Sequence, residues 1–187
     1  MKKVLSTLLF MFAWLALPAQ EITLNENSVY EKKTVVIVEN TSAAVLYGRA
    51  MEALSDWTGA DGRSKAGIDF SDKDAGTVIY KGNYYLGFKK TILGAGWDRY
   101  ADFTLKVRCK DGKAQVTVIV SSISGIYNKN GVKKTYTIRE VVDITKKSKG
   151  KKKESREDFV SDIITTADAM VIAMTDRLKG NGVDDDF

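Results

Sequence analysis

The chain has 187 residues, of which 44% are apolar, with 29 basic and 24 acidic side chains, one cysteine and no histidine. Without histidine the chain lacks the side chain most used for proton transfer near neutral pH and the commonest transition-metal ligand, which excludes a Ser-His hydrolase. The lone Cys109 excludes an intramolecular disulfide, and a formal net charge of +5 is too mild to argue for any particular charged partner.

Lys2 and Lys3 precede an apolar run over residues 4–17, broken only by Ser6 and Thr7, with Pro18 and Ala19 as a small-residue exit. At about 14 residues the run falls short of the roughly 20 that a spanning helix needs, and its flanks are those of a cleaved segment. The pattern predicts a signal peptide over residues 1–19. No cysteine follows to accept a lipid, so the expected product is a soluble exported protein, in the periplasm before the extracellular medium. It has no transmembrane segment and a one-domain length. Residues 20–28 read as a polar leader, 29–180 as a single domain and 181–187 as an acidic tail.

Residues 34–38 form a β-branched run of strand length. The period then turns helical, with Leu46, Ala50, Ala53, Leu54 and Trp57 on one face and Thr41 or Ser42 as cap. A turn-rich loop over 59–67 leads to a short piece at 68–70 and a strand at 77–81. The clearest element is a hairpin about Asp111 and Gly112. A two-residue loop pairs Cys109 with Ala114, Val107 with Val116, Leu105 with Val118 and Phe103 with Val120, so every residue on one face meets an apolar partner. The opposite face pairs Arg108 with Gln115, Lys106 with Thr117 and Thr104 with Ile119 and is largely polar. Cys109 falls on the apolar face and reads as a buried hydrophobe.

Asn130 and Gly131 signal a second hairpin leading into a strand over 135–144, with a bulge expected where Val141 and Val142 break phase. A connection rich in lysine, residues 146–153, precedes a long helix from about Arg156, with Ser155 and Asp158 placed as a capping box. Its apolar face runs through Phe159, Val160, Ile163, Ile164, Ala167, Met170, Val171, Met174 and Leu178, and Gly180 stops it. The expected fold is α+β, a mainly antiparallel five-stranded sheet in the order β-α-β-β-β-β-α, with both helices on one face.

The segments Leu46-Tyr47-Gly48-Arg49-Ala50 with Trp57, Asp72-Lys73-Asp74-Ala75-Gly76-Thr77-Val78-Ile79-Tyr80-Lys81-Gly82 and the hairpin from Phe103 to Val120 carry a resemblance. Over about residues 29–144 the chain resembles the secreted domain of unknown function, common in Bacteroidota, described as having a TATA-binding-protein-like fold. The resemblance implies the same element order, long C-terminal helix included, and brings no established activity or ligand. It does not imply a nucleic-acid partner. The DNA-binding members use a duplicated domain and paired aromatic wedges, whereas this chain has one copy.

Tyr84, Tyr85, Phe88 and Trp97 lie on a glycine-interrupted segment between two strands and are the best partner-binding candidates, unless the segment folds down as core. Lys151, Lys152 and Lys153 are candidate anion contacts within a run of six lysines in eight residues, a pattern more often found as a solvated connection. Asp69, Asp72 and Asp74 lack the spacing of a calcium loop. Gly94-Ala95-Gly96 lacks the further glycine and helix of a phosphate loop. Ser121 and Ser122 have no histidine to activate them. No cofactor is expected.

The favoured function is a non-enzymatic binding or interaction module of the periplasm, meeting an unknown protein or envelope component. A first alternative is a carrier of a small apolar ligand held between the curved sheet and the long helix, in a pocket lined by Phe159, Ile163, Met170 and Met174. A second is a carboxylate-dependent enzyme.

Overall fold

The hairpin about Asp111 and Gly112 is the centre of the fold. A computed structural model describes residues 23–57, 64–90 and 95–180, leaving aside the side chains of 151–155. Strands β4 (Gly96–Lys110) and β5 (Lys113–Tyr127) pair in the expected register, Cys109 with Ala114 through Phe103 with Val120. The turn also starts helix α1 (Ala43–Trp57). The Asp111 carboxylate accepts the Ala43 N–H at 2.8 Å, Gly112 N–H donates to the Thr41 carbonyl, and Ser42 Oγ accepts the Val45 N–H.

Strand β1 (Tyr30–Ile37) pairs with the first half of β5, starting four residues earlier than the β-branched run suggests. Strands β2 (Lys65–Asp72) and β3 (Thr77–Lys90) complete an antiparallel sheet in the order β1-β5-β4-β3-β2. A short β6 (Lys133–Thr137) pairs with the second half of β5. The sheet therefore has six strands among the described residues, where five were expected, because residues 65–72 form a full strand.

The expected strand over 135–144 is corrected. After Thr137 the chain turns into helix α2 (Ile138–Lys146). Thr137 and Glu140 form a capping box: Thr137 Oγ1 accepts the Glu140 N–H at 3.2 Å and Glu140 accepts the Thr137 N–H at 2.8 Å. The Thr137 N–H, and after it the Thr137 hydroxyl donating at 3.0 Å, hold the Glu140 carboxyl below its usual range. The phase break at Val141 and Val142 is thus a helical period, with Ile138 and Val141 buried.

Helix α3 (Lys151–Leu178) starts five residues before the predicted start, with Gly150 at the N-cap and no side-chain cap, so Ser155 lies inside it. The lysine-rich stretch is accordingly the end of α2, a short link and the first turn of α3. The expected apolar face holds. Val160, Ile163, Ile164, Ala167, Val171, Met174 and Leu178 are buried against the sheet beside Leu46, Ala50, Ala53 and Leu54 of α1. Arg49 caps the end of α3, donating to the Leu178 carbonyl at 2.9 Å. Lys32, which faces α3 from β1, pairs with Asp168 at 2.6 Å, and this hydrogen bond raises the lysine's pKa. The other sheet face carries the expected polar pairs but also exposes Val35, Ile37 and Phe70.

Cys109 is buried at 4% exposure, and burial pushes its thiol up from 9.0 to about 11. The folded state keeps the proton that the unfolded chain releases, so stability falls as pH rises through this window, by about 2 kcal/mol. Urea unfolding of the protein and of Cys109→Val at pH 8 and pH 11 checks this: the variant is expected to lose about 2 kcal/mol less. In the native state the thiol is expected to resist iodoacetamide at pH 8 and to react once the chain is unfolded.

Candidate functional site

The aromatic segment is corrected from a loop to strand. Tyr84, Tyr85 and Phe88 lie on β3 and Trp97 on β4, while residues 91–94, among them Ile92, Leu93 and Gly94, lie outside the described residues. Gly87, which reads as a loop residue in sequence, sits at a register shift in the β3–β4 ladder with φ +101°, a bulge that alternation alone does not reveal.

The strand separates the four aromatic candidates. Tyr84 pairs with Ala101 on the helix-covered face and meets Phe103 edge-on at 6.3 Å. Tyr85 points to the other face, packs on Tyr100 at 5.3 Å and donates its hydroxyl hydrogen to Asp98 at 3.0 Å. Phe88, 43% exposed, lies across Gly96, where a Cβ would come within 2.2 Å of its ring. Trp97 packs on Tyr127 at 5.1 Å with the Lys134 ammonium 5.7 Å from its ring. The four do not form one patch.

Tyr84 contributes to a cleft of about 300 Å³ between the sheet, the end of α1 and the C-terminal half of α3. Tyr80 and Phe103, 1% and 5% exposed, are among its lining residues, together with Trp57, Ala66 and Met170. The lining is almost wholly apolar, with Ser64 and Thr166 the hydroxyl side chains apart from Tyr80 and Tyr84. Of the four residues expected to line a carrier pocket, Met170 does so. Ile163 and Met174 are buried core, and Phe159 lies toward the other end of α3.

Several acids have structural partners. Asp72 accepts the Ala75 N–H at 2.9 Å and Asp69 pairs with Lys81 at 2.9 Å. Asp102 accepts from Asn83 Nδ2 at 2.7 Å and from the Ser122 hydroxyl, across the β4–β5 bulge. No group of three metal-binding side chains occurs among the described residues. No helix among the described residues is long and apolar enough to cross a membrane. The expected anion contacts Lys151, Lys152 and Lys153 fall in the first turn of α3, their side chains outside the described part. The signal peptide at 1–19 and the acidic tail at 181–187 also lie outside the described residues.

Sequence reasoning overlooked a cluster about Arg99. In the alternation Trp97, Arg99, Ala101, Phe103 and Leu105, an arginine stands on the buried face. A charge in that phase calls for a partner, and it is the signal that marks the cluster. Arg99 pairs with Asp162 of α3 at 2.8 Å and lies over the Phe159 ring at 5.1 Å.

An antiparallel sheet with two helices packed on one face defines an α+β protein of TATA-binding-protein-like (TBP-like) fold. Residues 33–123 match the family model described as "Domain of unknown function (DUF4468) with TBP-like fold". The chain is similar to the crystal structure of a DUF4468 family protein from Bacteroides ovatus, with a TM-score of 0.66 at 17% identity, covering 91% of this chain and 95% of the other. It is also similar to a TBP-like protein from Parabacteroides distasonis, with a TM-score of 0.64 at 14% identity, covering 84% of this chain and 97% of the other. No curated protein matches the chain.

Proposed function

We propose that the protein is an exported, non-enzymatic binding module that holds a small apolar ligand in the cleft bordered by Trp57, Tyr84 and Met170. The cleft itself carries this reading. It keeps aromatic and methionine surface accessible beside a packed core, and it offers few polar groups to fix a reacting atom. Its volume is at the lower end of ligand sites, which favours a compact ligand over a whole lipid. The unactivated serines and the structurally engaged carboxylates support a binding role over a catalytic one. The basic start and apolar run of residues 1–19 support export to the periplasm.

The test is a fluorescence titration with the neutral apolar probe N-phenyl-1-naphthylamine. Ala169 and Ala173 are exposed α3 residues that line the cleft, so Ala169→Trp plugs it without disturbing the core. The expected result is saturable binding that weakens about tenfold or more in Ala169→Trp, the effect of losing one good apolar contact area. Absence of saturable binding, or equal binding by the plugged variant, overturns the reading. Amino-terminal sequencing of the protein from the periplasmic fraction checks export, with cleavage expected near Ala19.

A further inference from the structure

The N-terminal half of α3 borders a second cleft, of about 280 Å³, whose lining is of a different kind. Lys89 from β3, Arg99 from β4, Lys134 from β6 and Arg156 from α3 converge there beside Trp97 and Tyr136. None of the lining residues is an acid. Two carboxylates of α3 engage part of this charge: Asp162 holds Arg99 at 2.8 Å and Asp158 reaches Lys89 at 3.3 Å. Arg156 donates to the Ile144 carbonyl at 3.1 Å and to the Ser148 hydroxyl, both neutral acceptors. Lys134 makes no salt bridge among the described residues and rests only over the Trp97 ring.

Among the described residues four cations therefore face two carboxylates, with Arg99 also donating from Nη2 to the Leu86 carbonyl at 3.2 Å. The Arg99 Nε–H is buried with no acceptor among the described residues. Like charges gathered in a half-buried space oppose one another, and an unmatched buried donor is costly to fold. An anion seated among these cations relieves the first. Tyr136, 37% exposed, presents ring surface at the same place.

We propose that this cleft binds a small organic anion. One carboxylate, sulfate or phosphate group meets Lys134, Arg156 and Arg99, and a compact ring-sized body packs on Tyr136 and Trp97. The volume suits a single ring with its acid group and leaves no room to enclose a polymer. The site shares no lining residue with the apolar cleft and stands or falls independently of it.

Calorimetric titration of the full-length mature protein with glucuronate, 4-hydroxyphenylacetate and inorganic phosphate tests the proposal. Saturable binding of either organic acid, tighter than phosphate, is expected, and the acid that binds tells a sugar body from an aromatic one. Binding is expected to weaken about tenfold in Lys134→Glu, a surface change on an edge strand, and with added salt, as charge-assisted contacts require. Tyr136→Ala is expected to weaken the organic acid and leave phosphate unchanged, and Ala169→Trp to change neither. No binding of either acid, phosphate binding as tightly as both, or full binding by Lys134→Glu overturns the proposal. Circular dichroism of the variants separates loss of binding from loss of fold.

Discussion

Gly76→Ala is expected to destabilise the protein by about 3 kcal/mol, read as a lowered urea midpoint at unchanged slope. Two effects combine. The Gly76 backbone has φ +59°, a left-handed conformation that costs an L side chain about 1 kcal/mol. A Cβ there would also sit 2.6 Å from the Cys109 carbonyl oxygen. That oxygen belongs to the backbone of β4 and cannot swing aside, and the same strand is tied to Gly76 by the Cys109 N–H donating to the Gly76 carbonyl at 2.7 Å. Gly112 supplies the comparison, since its φ is +73° with nothing within 4 Å of an added Cβ. Gly112→Ala is expected to cost only the conformational part, about 1 kcal/mol. Equal losses in the two variants would mean that the contact with β4 contributes nothing.

Leu105→Ala is expected to cost about 3 kcal/mol, while Ile119→Ala, on the neighbouring strand, costs under about 1 kcal/mol. Leu105 is fully buried in the core cluster on the helix-covered face, so its truncation leaves a cavity within that core. Ile119 pairs with Thr104 on the opposite face and is only half-buried. A difference of about 2 kcal/mol in unfolding free energy would express the one-sided covering of the sheet. Comparable losses would require a second layer on the outer face.

The Asp111–Gly112 hairpin was legible in sequence because turn chemistry and strict alternation fix register together, and a one-residue slip would have put Leu105 and Val107 in water. The apolar face of α3 was legible for the same reason, as one period sustained over many turns. The misreadings share a cause. Residues 138–146 alternate weakly enough to pass for a strand, and the capping box of Thr137 and Glu140, three residues apart, starts the helix. Gly87 resembles a breaker until its partner strand shows the bulge. Residues 65–72 carry little apolar signal because β2 is an edge strand that pairs, among the described residues, with β3 alone.

The candidate sites were less legible than the fold. Tyr84 and Trp97 were singled out, but as one aromatic segment, whereas they share a face and stand apart along the β3–β4 ladder, bordering separate clefts at the two ends of α3. Lys89, Arg99, Lys134 and Arg156 are far apart along the chain, and nothing local joins them. The sequence by itself determined the α+β class, the central hairpin and its register, the buried thiol, and the absence of histidine chemistry, since each follows from local period or composition. Only the tertiary structure decided which side chains share a cleft, because that depends on where β3, β6 and α3 meet, and such long-range packing leaves no periodic trace along the chain.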